Sequence, residues 1–372
     1  AAPGDPSAIH PGAAMLHGLA MTLAGELAKT AVSCMDVYCD PSGRGAAKAA
    51  TAVAAEPWTG KRLVAVRGGA RFVRTLEPVR LQAHGARFRE RGVYCVVGGA
   101  GSVGLELGLR LARKFHARLA LIGRSEPDGA KRSAMEEMRA KGGEVLYIRA
   151  DVSNPEEIRG ALRQAKERFG RLHGVIQAAM TLKGGLFRDL DAGQIDGILR
   201  PKARGSLALL RALGGEELDF LAFFSSLQSF VCEPGHSVYG AACAFQDALA
   251  RHAATMFPFP VRAINWGYWD AGMFAQPAVK RQIARMGFEP IRPEEGLAAL
   301  DAALEGPHAQ VGFVKGGAGV LDALGAGAAR TEASGEAPDS GATLSCAERT
   351  SEPEFARILT DIVAETIGLP PE

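Results

Sequence analysis

The chain has 372 residues and a mass of 39.0 kDa, more than one average domain needs. Apolar residues make up 47% and charged residues 23%, which excludes collagen-like, wholly disordered and disulfide-framework chains. Lys and Arg total 43 against 41 for Asp and Glu, so a net charge of +2 gives no electrostatic case for nucleic acid or an anionic membrane as partner.

The opening Ala1-Ala2-Pro3-Gly4 has neither Met nor a signal h-region, so the chain reads as a piece of something larger. Ala13–Ala28 has helical spacing, and Leu63–Val66 with Arg71–Arg74 reads as a hairpin around Gly68-Gly69. Residues 1–90 offer too few strands for a full sheet and read as part of a smaller, truncated structural subdomain. The six cysteines form no CxxC pair and no His stands at metal-ligand spacing, which predicts reduced thiols, no metal and a cytoplasmic protein. No apolar run reaches the ~20 residues of a membrane-spanning helix.

Regular alternation begins near Arg91. Strands are predicted at Val93–Val97, Arg118–Ile122, Glu144–Arg149, Gly174–Gln177, Leu218–Phe224, Val261–Trp266 and Val311–Val314. Between them lie helical stretches at Leu105–His116, Lys131–Lys141, Pro155–Phe169 with Asn154 as N-cap, Ile195–Leu213 and Tyr239–Thr255. Strand alternating with helix implies parallel crossovers, hence an α/β fold with a doubly wound sheet over 91–315. Its ligand belongs beyond the carboxyl ends of the strands. Residues 316–353, rich in Gly, Ala, Ser, Thr and Glu, read as a flexible linker. Helical spacing returns at Glu354–Ile367, so 354–372 reads as the start of a further domain.

Gly98-Gly99-Ala100-Gly101-Ser102-Val103-Gly104 contains GxGxxG between a strand and a helix. Small residues permit the tight turn, and the helix N-terminus supplies N–H groups and partial positive charge for a pyrophosphate. This is a Rossmann-type dinucleotide turn. Strand two ends Ile122-Gly123-Arg124-Ser125 with no carboxylate before Glu126, so Arg124 is the candidate for a 2′-phosphate and NADPH is favoured over NADH. Asp151 and Val152, after strand three, are placed to meet the adenine.

Five segments in order, VVGGAGSVG (96–104), PKARGS (201–206), FFSSLQSF (223–230), GHSVYGAACAFQDALA (235–250) and NWGYW (265–269), carry a resemblance. The chain resembles the short-chain dehydrogenase/reductase superfamily and, within it, the ketoreductase domains of modular polyketide synthases. The wording looks most like synthases with free-standing acyltransferases. The resemblance implies Tyr239, Ser226 and Lys202 as the catalytic set. Ser226 lies 13 positions before Tyr239 (239 − 226) and Lys202 lies 37 before it (239 − 202), the family's offsets. The residue types suit carbonyl reduction. A phenol can donate a hydrogen bond and then a proton to the ketone oxygen, a hydroxyl can donate a second bond, and an ammonium lowers the phenol's pKa. Cys243 stands where these ketoreductases usually carry Asn, so the fourth catalytic role is open; the suspected subclass does carry Cys there.

The resemblance further implies a β-ketoacyl chain on an acyl carrier protein, neighbouring synthase domains as partners and a role in antibiotic biosynthesis. The helix 354–367 resembles the start of a carrier domain. The family's Leu-Asp-Asp sign is replaced by Leu182-Lys183-Gly184-Gly185, and Val231 stands where the opposite class often has Trp. That combination tilts toward the A-type, L-hydroxy product. Gly272–Ile291 is a candidate lid. Two alternatives stand: a reductively inactive ketoreductase-like scaffold, for which Cys243 and Met180 speak, and a free-standing short-chain alcohol dehydrogenase.

Overall fold

The computed structural model describes residues 9–27, 30, 32–37, 46–56, 63–67, 70–81, 87–317, 319, 320 and 324. The expected linker beyond Leu324 and the helix at 354–367 lie outside them. Pro at the first helical position starts α1 (Pro11–Glu26). Strand β1 (Cys34–Val37) and helix α2 (Ala46–Ala55) follow, then β2 (Leu63–Arg67) and β3 (Ala70–Val73). The hairpin is present, with β2 and β3 antiparallel, and its turn at 68–69 lies outside the described residues. β1 pairs parallel with β2, so this part carries a three-stranded sheet, one strand more than expected. At four residues, CMDV is too short to show a period.

The second sheet is built from β4 (Val93–Val97), α3 (Ser102–Phe115), β5 (Arg118–Gly123), α4 (Gly129–Ala140), β6 (Glu144–Arg149), α5 (Pro155–Phe169) and β7 (Gly174–Gln177). It continues through α6 (Ala192–Lys202), α7 (Arg204–Ala212), β8 (Phe220–Ser226), α8 (Gln228–Val231), α9 (Ser237–Met256), β9 (Val261–Trp266), α10 (Pro277–Arg285), α11 (Pro293–Glu305) and β10 (Gln310–Phe313). Its seven strands run in the order β10-β9-β8-β7-β4-β5-β6, every pair parallel. All five β4 side chains are buried because helices cover both faces. Tyr94 and Val96 join the core under α3, while Val93, Cys95 and Val97 join the core under α5. The order reverses between β4 and β7, which opens a crevice beyond Val97 and Gln177.

Helix boundaries follow local chemistry. Asn154 caps α5 by accepting from the Glu156 and Glu157 N–H groups, with acidic residues in the first turn and Lys166 and Arg168 in the last. The single helix expected over 195–213 is two. Pro201 has no N–H to continue the ladder, and the chain bends at Ala203. That bend ends α6 on Lys202. Helix α11 was not anticipated from the sequence, although Pro293 and two glutamates open it. The N-terminal part packs on the second sheet's helices: Met15 and Leu19 of α1 share a core with Tyr239 and Phe245 of α9.

Burial also sets an alkaline limit on stability. Cys95 is wholly buried, and burial pushes its thiol from 9.0 up to about 12. On the other sheet face burial pushes the Tyr94 phenol from 10.0 up to about 12. The folded chain therefore keeps protons that the unfolded chain releases above about pH 9. This contribution is fully present below pH 9 and is lost as pH rises toward 12. Thermal midpoints followed from neutral to alkaline pH should fall in that window, and Cys95→Ala should flatten the fall. An equal slope in both proteins would refute the assignment.

Candidate active site

The turn after β4 is shaped by backbone. Gly98 has φ +79, and a Cβ there would lie 2.7 Å from the Ala179 nitrogen. A Cβ on Gly104 would lie 2.7 Å from the Gly98 carbonyl oxygen. No side chain caps α3, so the N–H groups of its first turn, from Ser102, Val103 and Gly104, face the crevice free of side-chain partners. Gly98, Gly101 and these three residues line a cleft of about 460 Å³, whose far side includes Ser226, Tyr239 and Met180. Gly99 lies behind the turn, its N–H bonded to Val96 and Ile122 carbonyls. An uncapped helix end, a turn too tight for side chains and an open cleft fit a dinucleotide pyrophosphate.

The adenosine end is mixed. Arg124, just past β5, is exposed and makes no ion pair with any described residue. Asp151 spends its carboxylate on the N–H and hydroxyl of Ser153, at 2.9 and 2.6 Å. Val152 is 4% exposed and its side chain packs on Gly205.

The catalytic candidates converge. Tyr239 opens α9, and its hydroxyl lies beside the Cys243 thiol and the Ser226 hydroxyl. Ser226, at the end of β8, accepts from the Gln228 N–H at 3.2 Å. The Lys202 Nζ lies 5.8 Å from the centre of the Tyr239 ring. Though a lysine, it is 1% exposed; its ammonium donates to the Phe224 carbonyl at 2.5 Å and to Gln246 Oε1 at 3.0 Å. Gln246 donates onward to Ser206 Oγ at 2.9 Å. Sequence reading missed Gln246, although it stands seven residues after Tyr239 on one helix face with Cys243 between them.

The electrostatics differ from expectation. Burial holds the Tyr239 phenol well above its ordinary value, the Cys243 thiol adds to this, and the Ser226 bond opposes it. The expected acidic phenol is thus absent before ligands bind. Burial lowers the Lys202 ammonium, while Cys243 and Asp247 pull it back up. Burial likewise pushes the Cys243 thiol up to about 11, so it is a protonated, wholly buried group and no nucleophile at neutral pH. The phenol oxygen also lies 3.5 Å from the Met180 sulfur. The lid candidate is a short turn at Gly272–Ala275 followed by α10, and Met273, Phe274 and Ile283 from it line the cleft.

A doubly wound parallel sheet with a glycine turn at its switch point and Lys, Ser and Tyr at its rim defines the short-chain dehydrogenase/reductase class. Residues 92–271 match the KR domain family model, and this part of the chain belongs to that family, the ketoreductase domains of polyketide synthases. The chain is 38% identical over 307 residues to polyketide synthase ThaG of Burkholderia thailandensis, covering 81% of this chain and 5% of that protein. It is 32% identical to polyketide synthase PksN of Bacillus subtilis, covering 62% of this chain and 4% of that one. A crystal structure of a ketoreductase domain from the bacillaene assembly line superposes with a TM-score of 0.76 at 27% identity, covering 83% of this chain and 75% of that one. The chain thus spans about a twentieth of the synthases it resembles. Among the described residues, no helix is long and apolar enough to cross a membrane, and no cluster of metal-ligating side chains exists.

Proposed function

We propose that the chain reduces a β-ketoacyl thioester, presented by an acyl carrier protein, to a β-hydroxyacyl thioester with NADPH. The observation that carries the proposal is the meeting of the Tyr239 and Ser226 hydroxyls at the rim of the cleft above the Gly98–Gly104 turn. NADPH, when bound, supplies the hydride. The first turn of α3 would hold its pyrophosphate and Arg124 its 2′-phosphate. Tyr239 donates its proton to the ketone oxygen, and Ser226 donates a second hydrogen bond to the same atom. The raised pKa keeps the phenol protonated at neutral pH, so the donor is loaded before the ketone arrives. The phenolate left behind is costly in a buried site, and the Lys202 ammonium is the cation near its ring.

The apolar walls from Val231, Phe274, Ile283 and Phe288 suit an acyl chain. We assign the A-type, L-hydroxy product because Leu182-Lys183-Gly184-Gly185 replaces the family's Leu-Asp-Asp, and Leu182 lines the cleft. The chain would act in the cytoplasm as one domain among neighbours of a synthase with free-standing acyltransferases. Residues 1–90 would be its structural subdomain, 91–315 its catalytic domain, 316–353 a linker and 354–372 the start of a carrier-like domain. The scaffold alternative draws on Cys243 and on Met180, whose sulfur lies 3.5 Å from the Tyr239 hydroxyl. It predicts cofactor binding without turnover.

The test is turnover of a β-ketoacyl-N-acetylcysteamine surrogate, followed by loss of reduced-cofactor absorbance and by chiral analysis of the product. NADPH should be preferred over NADH. Arg124→Ala should raise the KM for NADPH by about ten- to hundredfold, the worth of a charge-assisted hydrogen bond. No oxidation above the blank would overturn the proposal.

A further inference from the structure

Asn265 opens the 265–269 motif, yet the reduction described above gives it no task. It is wholly buried on β9, beside Ser225 of β8, at the centre of a polar cluster. Its Nδ2 lies 3.0 Å from the Ser226 carbonyl oxygen, 3.2 Å from Ser225 Oγ, 3.0 Å from Ser229 Oγ and 2.8 Å from Asp247 Oδ2. Its Oδ1 accepts from Gln310 Nε2 at 3.0 Å. The Ser229 hydroxyl lies 3.1 Å from that same Ser226 carbonyl and 2.8 Å from Asp247 Oδ2. Two donors on different elements therefore share one acceptor, the carbonyl of the serine that faces the ketone. Asp247 Oδ2 on α9 takes the second Asn265 amide proton; the single Ser229 proton serves either the Ser226 carbonyl or Asp247 Oδ2, and the clamp is the state in which it serves the carbonyl.

Such a cluster is a poor way to gain stability. Buried polar groups repay their lost hydration only when fully partnered. Here Asp247 Oδ1 has no hydrogen-bond partner, and burial raises the pKa of its carboxyl. An apolar set of similar volume would hold the strand as well. What an apolar set cannot do is fix the rotation of the peptide that follows Ser226. That peptide leads into α8, whose Gln228 N–H bonds Ser226 Oγ at 3.2 Å. Carbonyl and hydroxyl of Ser226 are thus both held by hydrogen bonds. The three-stranded sheet reaches the same turn: Arg74, just after β3, donates to the Ser229 carbonyl at 3.2 Å and lies 4.8 Å over the Phe230 ring.

We infer that Ser229 is a positioning residue, which with Asn265 and Asp247 clamps the Ser226 carbonyl and so aims the Ser226 hydroxyl at the substrate ketone. The inference rests on the reductive reading, and its test separates the two. Ser229→Ala should lower kcat about tenfold, the effect of one hydrogen bond, with the KM for NADPH unchanged. In a Ser226→Ala background the same change should alter kcat less than about twofold, because the clamp then has nothing to aim. An equal factor in both backgrounds would mean a general structural effect and would overturn the inference. Amide hydrogen exchange supplies an arm that needs no turnover. The Phe230, Val231 and Cys232 amides, which bond back to Leu227 and Gln228 carbonyls, should exchange faster in Ser229→Ala than in the unsubstituted chain. Unchanged exchange there would overturn the clamp even if reduction is confirmed. Faster exchange would support it even if the unsubstituted chain oxidises no NADPH.

Discussion

Tyr239→Phe should lower kcat by about 100- to 10,000-fold, the range that a positioned general acid contributes. The ring is 6% exposed and packs in the core shared by α1, α6 and α9, so Phe keeps the packing and removes one oxygen. That oxygen is the atom that faces Ser226, Cys243 and Met180. Neither the Gly98–Gly104 turn nor Arg124 touches it, so NADPH affinity should stay within about twofold, the ordinary reach of a substitution with no shared partner. The remaining activity should come from the Ser226 hydrogen bond and from proximity alone. Stopped-flow traces with the surrogate, alongside cofactor titration by fluorescence, check both halves. A variant that keeps a tenth or more of kcat would show that another group delivers the proton. Cys243 is the nearest such group, and Tyr239→Phe/Cys243→Ala would then identify it.

Much of this was legible in the sequence, for reasons that differ by element. β4, β6, α5, β7 and β9 lie where the pattern put them, because glycine or proline stands at or next to the boundary of each. The Lys202, Ser226 and Tyr239 offsets could be read because three short motifs carry them in order. What the sequence concealed was three-dimensional. Pro201 was visible, but not that its kink drives Lys202 into the core, where the Phe224 carbonyl and Gln246 hold it. That the Val152 side chain packs on Gly205 was likewise invisible in the sequence. The direction of the phenol's pKa could not be read at all. It depends on burial, and burial is a property of the packed molecule: α1, from the segment read as part of a smaller subdomain, shares a core with Tyr239 of α9.

Gly98→Ala should weaken NADPH binding by about a hundredfold or more while leaving Tyr239 in place, the converse of Tyr239→Phe. Two effects act together. At φ +79 an alanine sits in the left-handed region, a strain of about 1–2 kcal/mol. Its Cβ would also lie 2.7 Å from the Ala179 nitrogen and 2.8 Å from its Cα, and these backbone atoms cannot yield. The Ala178 N–H is bound to the Val97 carbonyl at 2.8 Å and the Ala179 N–H to Gln177 Oε1 at 2.6 Å, while Gln177 Nε2 holds the Pro201 carbonyl at 2.7 Å. The displacement must therefore be taken by the turn itself, which carries the first-turn N–H groups of α3 away from the crevice. Gly101 offers the control: its φ of −77 is ordinary and a Cβ there meets only the Gly98 carbonyl, at 3.1 Å. Gly101→Ala should cost clearly less affinity than Gly98→Ala. Calorimetric titration of NADPH into both variants measures the order, and equal losses would mean that the turn's shape is not what holds the cofactor.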